Sequence, residues 1–275
     1  MTIFVITLTW NGVDYLKNLY PTLIKALKNA VGNNYSWLIR DNASEDDTEA
    51  TAKSWDDVEY LKVDHNNDNY SQCNNYLVSK ADELFGIDYD KDYILFLNND
   101  ITIEDEYSIR YMLDIASKED VGIVGARLFY PGKFIQHAGV AFSPKHGNMP
   151  WHIFSKDKDS IYTNQNRYYQ AVTGACLLMK ASCFKNLANS KMDERFYWAF
   201  DDIAMCLDVY YNQNKKIVYC GKTNIIHHES ISLQKNKVNI KYMKHNVELF
   251  KKLWQKTYKL DYYDYLNDST YNLYK

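Results

Sequence analysis

The segment Tyr93-Ile94-Leu95-Phe96-Leu97-Asn98-Asn99-Asp100 constrains the fold more than any other. Its apolar half is rich in β-formers and reads as a strand buried on both faces. It stops abruptly at two amides and a carboxylate. In an open α/β sheet, ligands sit outside the carboxyl ends of parallel strands. A hard oxygen ligand at that edge is placed to hold a divalent cation against a phosphate. The same three polar residues also suit a surface turn.

The flanking chain alternates strand and helix. Ile3 to Leu8 reads as a strand, and Asp14 to Leu27 carries apolar residues at helical spacing, with Pro21 marking a kink or restart. Ser36 to Ile39 is a second strand, and Ser44 to Trp55 a helix with Ser44 as N-cap. Val58 to Val63 is a third strand, Ser71 to Leu84 a helix, and Tyr93 to Leu97 the fourth strand. This alternation implies parallel strands joined by right-handed crossovers. The second half is less regular. Strands are expected at Val121 to Tyr130, Phe134 to Phe142, Ala171 to Lys180 and Lys216 to Cys220, with 143–168 a long loop. A helix fits Ile203 to Tyr211 and another Asn239 to Trp254, and the tail from Asp261 is Tyr-rich without a period.

A length of 275 residues suits one compact α/β body with an elaboration, and 46% hydrophobic residues suffice for its core. The net charge of -3 supplies no general attraction to nucleic acid. Five cysteines without a Cys-x-x-Cys pair argue against a disulfide framework or zinc site and for reduced, buried thiols. The first residues lack a basic n-region and read as a strand rather than a signal peptide. No stretch approaches the roughly 20 apolar residues of a membrane span. A cytoplasmic chain, free or peripheral to a membrane, is the expectation.

Several ordered blocks resemble the inverting, metal-dependent A-type glycosyltransferases of family two, particularly the rhamnosyltransferase-like members. These are Thr9-Trp10-Asn11-Gly12 after the first strand, Asp41-Asn42-Ala43-Ser44-Glu45-Asp46-Asp47, and Asn67 to Asn75. Asn98-Asn99-Asp100 stands where the family has an Asp-x-Asp or Asn-x-Asp metal motif. Then follow Pro131-Gly132-Lys133-Phe134-Ile135-Gln136-His137-Ala138-Gly139, Thr173 to Met179, Met192 to Phe196, Asp201-Asp202, and Ile226-His227-His228-Glu229-Ser230. Each block is weak alone, but their shared order is what chance rarely supplies. The resemblance runs from residue 3 to about residue 230.

The resemblance implies an A-type glycosyltransferase fold: a Rossmann-like mixed sheet flanked by helices, with a C-terminal helical extension. It implies a catalytic domain over 1–230, divided into a nucleotide-binding half (1–100) and an acceptor-binding half (101–230), followed by a helix and tail over 231–275. The implied reaction moves a sugar from a UDP- or dTDP-type donor to a saccharide or other hydroxyl acceptor. Thr9, Trp10, Asn11, Asp41, Asn74, Asn98 and Asn99 would bind the nucleotide, with Trp10 either stacking on the base or packing. Asp100 and His227 would hold Mn²⁺, or Mg²⁺, against the departing diphosphate. An imidazole ligand favours Mn²⁺. His228, adjacent, would point elsewhere in extended backbone.

Inversion needs a carboxylate opposite the leaving group. Asp202 would be that base, with Asp201 shaping its electrostatics; both also suit a helix start. Gly174, Trp198 and His228 would face donor or acceptor sugars. A homo-oligomer through the C-terminal region is a further expectation. Departures from the family pattern are Asn98 for an acid, Asn69 for a glycine that Asn could replace at positive φ, Ser190-Lys191 for a Gly-Gly pair, and Ala204 and Asp208 for a later acid and Arg. They keep a second reading alive, a catalytically inactive nucleotide-sugar or carbohydrate-binding relative. A sugar-nucleotide pyrophosphorylase is disfavoured because no Gly-rich, basic loop follows the first strand.

Overall fold

A computed structural model describes residues 1–197, 199–228 and 240–274. The parallel half comprises β1 (Ile3–Thr9), α1 (Val13–Val31), β2 (Tyr35–Asn42), α2 (Thr48–Ala52), β3 (Val58–Val63), α3 (Tyr70–Phe85) and β4 (Tyr93–Leu97). There follow β5 (Ile101–Ile103), α4 (Ser108–Ala116), β6 (Val121–Phe129), β7 (Ile135–His137), β8 (Val140–Ser143), β9 (Met149–His152), β10 (Arg167–Tyr169) and β11 (Cys176–Lys180). The chain continues through α5 (Ala181–Lys185), α6 (Asp201–Leu207), β12 (Lys216–His227), α7 (Ile240–Trp254) and α8 (Tyr262–Asn267).

A ten-stranded mixed sheet runs in the order β10-β12-β6-β11-β4-β1-β2-β3, with β5 on β12 and β7 on β6. β1 is parallel to both β2 and β4, and β2 to β3. The chain therefore walks outward from β1 to β3 and then returns to place β4 on the other side of β1. That reversal opens a crevice at the carboxyl ends of β1 and β4. β11 enters antiparallel between β4 and β6, joining the two halves of the sheet.

The period-two side-chain alternation of the strands divides the core. Ile3, Val5, Tyr93, Leu95 and Leu97 face α1 and α4, together with Leu16, Leu19, Leu23 and Met112. Phe4, Ile6, Ile94 and Phe96 face the opposite layer, with Leu77, Val78 and Phe184. This is why the run at 93–97 has no polar alternation. Phe250, Tyr258 and Tyr265 from the C-terminal segment join the second layer. The buried Arg167 guanidinium donates to the carbonyls of Tyr271 and Ser269. All five cysteines are buried and unpaired. Among the described residues, no helix is long and apolar enough to cross a membrane.

Several local expectations change. α1 runs through Pro21 without restarting. The helix expected from Ser44 starts only at Thr48, because Ser44 is bonded to Asp41 instead. Asn69 needs no positive φ: at -79° it is the N-cap of α3, exchanging 2.9 Å bonds with Gln72 in a capping box. The expected strand from Ala171 begins at Cys176, leaving an isolated bridge between Ala171 and Val140. Residues 143–168 are not one loop, since β8 and β9 form a hairpin there and β10 opens at Arg167. The helix from Asp201 ends in a single π-turn over Asp208–Asn212.

Phe96, 1% exposed, packs its ring 6.0 Å from that of Phe184. Phe96→Ala should lower unfolding free energy by about 3–5 kcal/mol, through lost burial and the cavity left behind. Tyr107→Ala, at a position 49% exposed, should change it by less than about 0.5 kcal/mol. Urea unfolding of both variants checks the contrast.

Candidate active site

The loops after β1, β2 and β4 meet at the carboxyl edge of the sheet. Asp41, the seventh residue of β2, is fully buried. Its Oδ1 accepts from the Ser44 amide at 2.8 Å and the Ser44 hydroxyl at 2.6 Å, while the Tyr60 hydroxyl donates to Oδ2. Burial, then this bond, pushes the Tyr60 phenol far above its usual range. Ser44 Oγ in turn accepts from the Asn11 amide at 2.7 Å, and Asn11 Oδ1 accepts from the Glu45 amide at 2.8 Å. Asn11 and Ala43 take positive φ to make these contacts. The two loops are thus one hydrogen-bonded unit. Asn99 Nδ2 donates to Thr9 Oγ1 at 3.0 Å, tying in the third loop. A Cβ on Gly12 would stand 2.5 Å from Asn99 Nδ2 and 2.6 Å from Thr9 Oγ1, so a side chain there would have to displace that hydrogen-bonded pair. Trp10 stands 44% exposed beside this unit.

Beyond it lie Asp100 and His227, brought together because β5 pairs antiparallel with the end of β12. His227 Nε2 is 3.1 Å from Asp100 Oδ1 and 3.2 Å from Asn98 Nδ2. Adjacent corners of an octahedron with ~2.1 Å bonds lie about 3.0 Å apart, so the oxygen and nitrogen have the spacing of two neighbouring ligands. The donor set of one carboxylate and one imidazole fits a divalent cation that completes its shell with phosphate oxygens and water. Among the described residues no group of three or more His, Cys, Asp or Glu could hold an ion alone. His228 does point elsewhere, its Nε2 lying 2.9 Å from Thr102 Oγ1 and its ring 6.3 Å from that of Tyr15.

The acidic pair opens α6. Asp202 Oδ2 accepts from the Gly174 amide at 2.8 Å and Oδ1 from the Ile203 amide at 2.8 Å. Burial pushes its carboxyl up, against the pull of those two amides. Asp201, 6% exposed, is pushed up to about 7 by burial and then by the Asp202 charge. The segment 173–175 links this pair to Asp100 and His227: the Asn98 amide donates to Ala175 O at 2.9 Å, while Gly174 holds Asp202. A side chain at Gly174 would press on Asp202 Cβ and Tyr70 Oη at 3.2 Å.

Other expected site residues separate. Asn74 is buried within α3, its Nδ2 donating to Tyr70 O at 2.9 Å. Trp198 and Ser230 lie outside the described residues. Three features were not anticipated. Tyr60 supports Asp41 from β3. The fully buried His137 contacts His152, Nδ1 to Nδ1 at 3.0 Å, and burial pushes it well below the usual imidazole range. Gln136 contacts His227. The block from Pro131 to Gly139 held Gln136 and His137 in plain view, but β9, which supplies His152, carried no periodic signal.

The model of the family described as "Glycosyl transferase family 2" matches residues 4–183, a segment that ends before Asp201 and His227. O-antigen biosynthesis protein RfbC of Myxococcus xanthus is 28% identical over 200 residues, covering 71% of this chain and 15% of that protein. Uncharacterized protein y4gI of Sinorhizobium fredii is 28% identical over 232 residues, covering 80% and 24%. The chain thus spans less than a quarter of the length of either relative. Among solved structures, S. aureus TarS 1-349 in complex with UDP-GlcNAc superposes with a TM-score of 0.59 at 14% identity, over 86% of this chain and 62% of that one. GalNAc-T7 with UDP, GalNAc and Mn²⁺ superposes with 0.67 at 12% identity, over 98% and 51%. These likenesses show a shared fold, the A-type glycosyltransferase fold.

The raised Asp201 carboxyl makes a stability prediction. A group whose folded pKa is raised contributes stability that is full below its unfolded value, near 3.8, and lost as pH climbs through about 7. Asp201→Asn cannot ionise, so its unfolding free energy should decline less over that window than that of the unsubstituted chain. Urea unfolding at stepped pH reads the difference; parallel declines would refute the buried, proton-holding state.

Proposed function

The chain belongs to glycosyl transferase family 2, and from that membership we propose that it transfers a sugar, with inversion, from a UDP- or dTDP-type donor to a saccharide or other hydroxyl acceptor. The observation carrying this reading is the segment 173–175, bonded to Asn98 beside Asp100 and His227 on one side and to Asp202 on the other. A donor lying across that segment would have its diphosphate toward the first pair and its anomeric carbon toward the second. The complexes of similar fold with UDP-GlcNAc, and with UDP, GalNAc and Mn²⁺, support a nucleotide-sugar donor and a cation.

Trp10 offers an exposed face for a nucleobase, and the loop unit built on Asp41 shapes the floor beneath it. Because both Asp41 oxygens already serve Ser44 and Tyr60, Asp41 acts first by holding that unit together. Asp100 and His227 would hold Mn²⁺, which when bound offsets the charge gathering on the leaving diphosphate. The acceptor oxygen attacks the anomeric carbon opposite the diphosphate, a new C–O bond forms as the old one breaks, and the electron pair leaves with the diphosphate. Asp202 takes the acceptor proton. Its two amide donors fix the carboxylate's direction. Asp201, holding its own proton near neutral pH, lets one charge rather than two occupy the pair.

Asp202→Asn should lower turnover roughly 10²–10⁴-fold, the usual worth of general-base catalysis, with donor affinity nearly unchanged. Asp201→Asn should cost less; the reverse ranking would exchange their roles. Donor binding without transfer or donor hydrolysis in the unsubstituted chain would favour a non-catalytic relative instead. Chelation should abolish transfer and added Mn²⁺ restore it, and Asp100→Ala should weaken UDP binding far more than uridine binding. Full transfer in excess chelator would remove the cation from the mechanism.

A further inference from the structure

The cation reading gives no role to the buried side chain of Gln136. Gln136, 8% exposed at the centre of β7, makes two side-chain hydrogen bonds among the described residues, both to His227. Gln136 Nε2 lies 3.3 Å from the His227 carbonyl oxygen, and Gln136 Oε1 lies 2.6 Å from His227 Nδ1. A backbone carbonyl only accepts, so the atom facing it must be the amide nitrogen. That fixes the orientation of the amide and turns its oxygen, which also only accepts, toward Nδ1. Nδ1 must then carry the ring proton. A neutral His227 therefore presents a bare lone pair at Nε2, the nitrogen that faces Asp100 Oδ1 at 3.1 Å.

Two lone pairs at that separation repel unless a proton or a cation lies between them. The Asn98 Nδ2 donor at 3.2 Å relieves part of this repulsion, and it can turn away when a stronger electrophile arrives. The geometry points to Gln136 as a positioning residue that locks His227 in the Nδ1–H tautomer and so delivers Nε2 to a divalent cation shared with Asp100. This inference rests on the cation reading above. It gives the Gln-His block a division of labour, since Gln136 serves β12 while its neighbour His137 serves β9. Partners of this kind, which bond the second nitrogen of a ligating histidine, typically change metal affinity 10–100-fold when removed.

The test uses the full chain with Mn²⁺ and UDP as probes. Gln136→Leu keeps bulk and loses both bonds; Gln136→Glu keeps an acceptor at Nδ1. The leucine variant should bind Mn²⁺, titrated by electron paramagnetic resonance in the presence of UDP, about 10–100-fold more weakly. The glutamate variant should stay within about threefold of the unsubstituted chain. Long-range ¹H–¹⁵N spectra of metal-free protein, about two pH units above the ordinary imidazole pKa, should show His227 as the Nδ1–H form. His227→Gln assigns the resonance. The Nε2–H form should appear in the leucine variant and not in the glutamate variant. A purely structural role for Gln136 would lower thermal stability without moving the tautomer. An Nε2–H ring in the unsubstituted chain, or unchanged Mn²⁺ affinity in the leucine variant, would overturn the inference. Should the leucine variant not fold, the unsubstituted and glutamate spectra decide it. Absence of any Mn²⁺ binding by the unsubstituted chain would instead sink the cation reading, and the metal-free spectra would still report on the tautomer.

Discussion

Strand β4 is buried on both faces and bonded on both edges, parallel to β1 on one side and antiparallel to β11 on the other. Everything at the site is referred to that strand. Its parallel edge opens the crevice in which the loops after β1 and β2 meet. Its antiparallel edge brings the start of β11 beside Asn98 and, through Gly174, fixes Asp202. A close-packed interior transmits such constraints with little give. Asp100 and the pair Asp201-Asp202, from segments a hundred residues apart, are therefore held in one frame through residues 174 and 175.

Buried carboxylates are costly, and this edge of the sheet accommodates its own in four ways. Asp41 is saturated by a hydroxyl, an amide and a phenol from its own half of the chain. Asp202 is steadied by two backbone amides. Asp201 has its proton affinity raised by burial. Asp100 instead shares its site with an imidazole. The distribution makes chemical sense. The acid that shapes a loop is bonded to side chains and an amide of its own half, while the acid proposed to take a proton is held by backbone amides.

The parallel half was legible because strand and helix periods alternate cleanly there and each strand is a plain apolar run. The line between helix and loop after β2 was not, since Ser44 offers its hydroxyl equally to a helix end or to a nearby carboxylate, and Asp41 wins it. Asn69 misled in a similar way: an Asn tolerates positive φ, yet here it caps a helix. In the second half the strands β7, β8, β9 and β10 have only three or four residues each, too few to display a period, and their pairing is non-local. Asp100 and His227 could be singled out from their motifs, but the Gln136 contact depends on β7 and β12 both lining β6, which no local pattern encodes.

The guanidinium of Arg167 has a consequence for how the chain is made. Its Nε donates to the nearby Tyr162 carbonyl, but its two terminal nitrogens donate to the carbonyls of Ser269 and Tyr271, more than a hundred residues downstream. Proteins emerge from the ribosome in order, and upstream parts begin folding first. The sheet from β1 to β4 can assemble while the remainder is still being translated. Until residues 269–271 arrive, the buried guanidinium has only the Tyr162 carbonyl among these three acceptors, so the layer around β10 closes fully with the later segment. Vectorial synthesis thus divides a continuous sheet into an early half and a late half, the late half being clasped by residues 269–271.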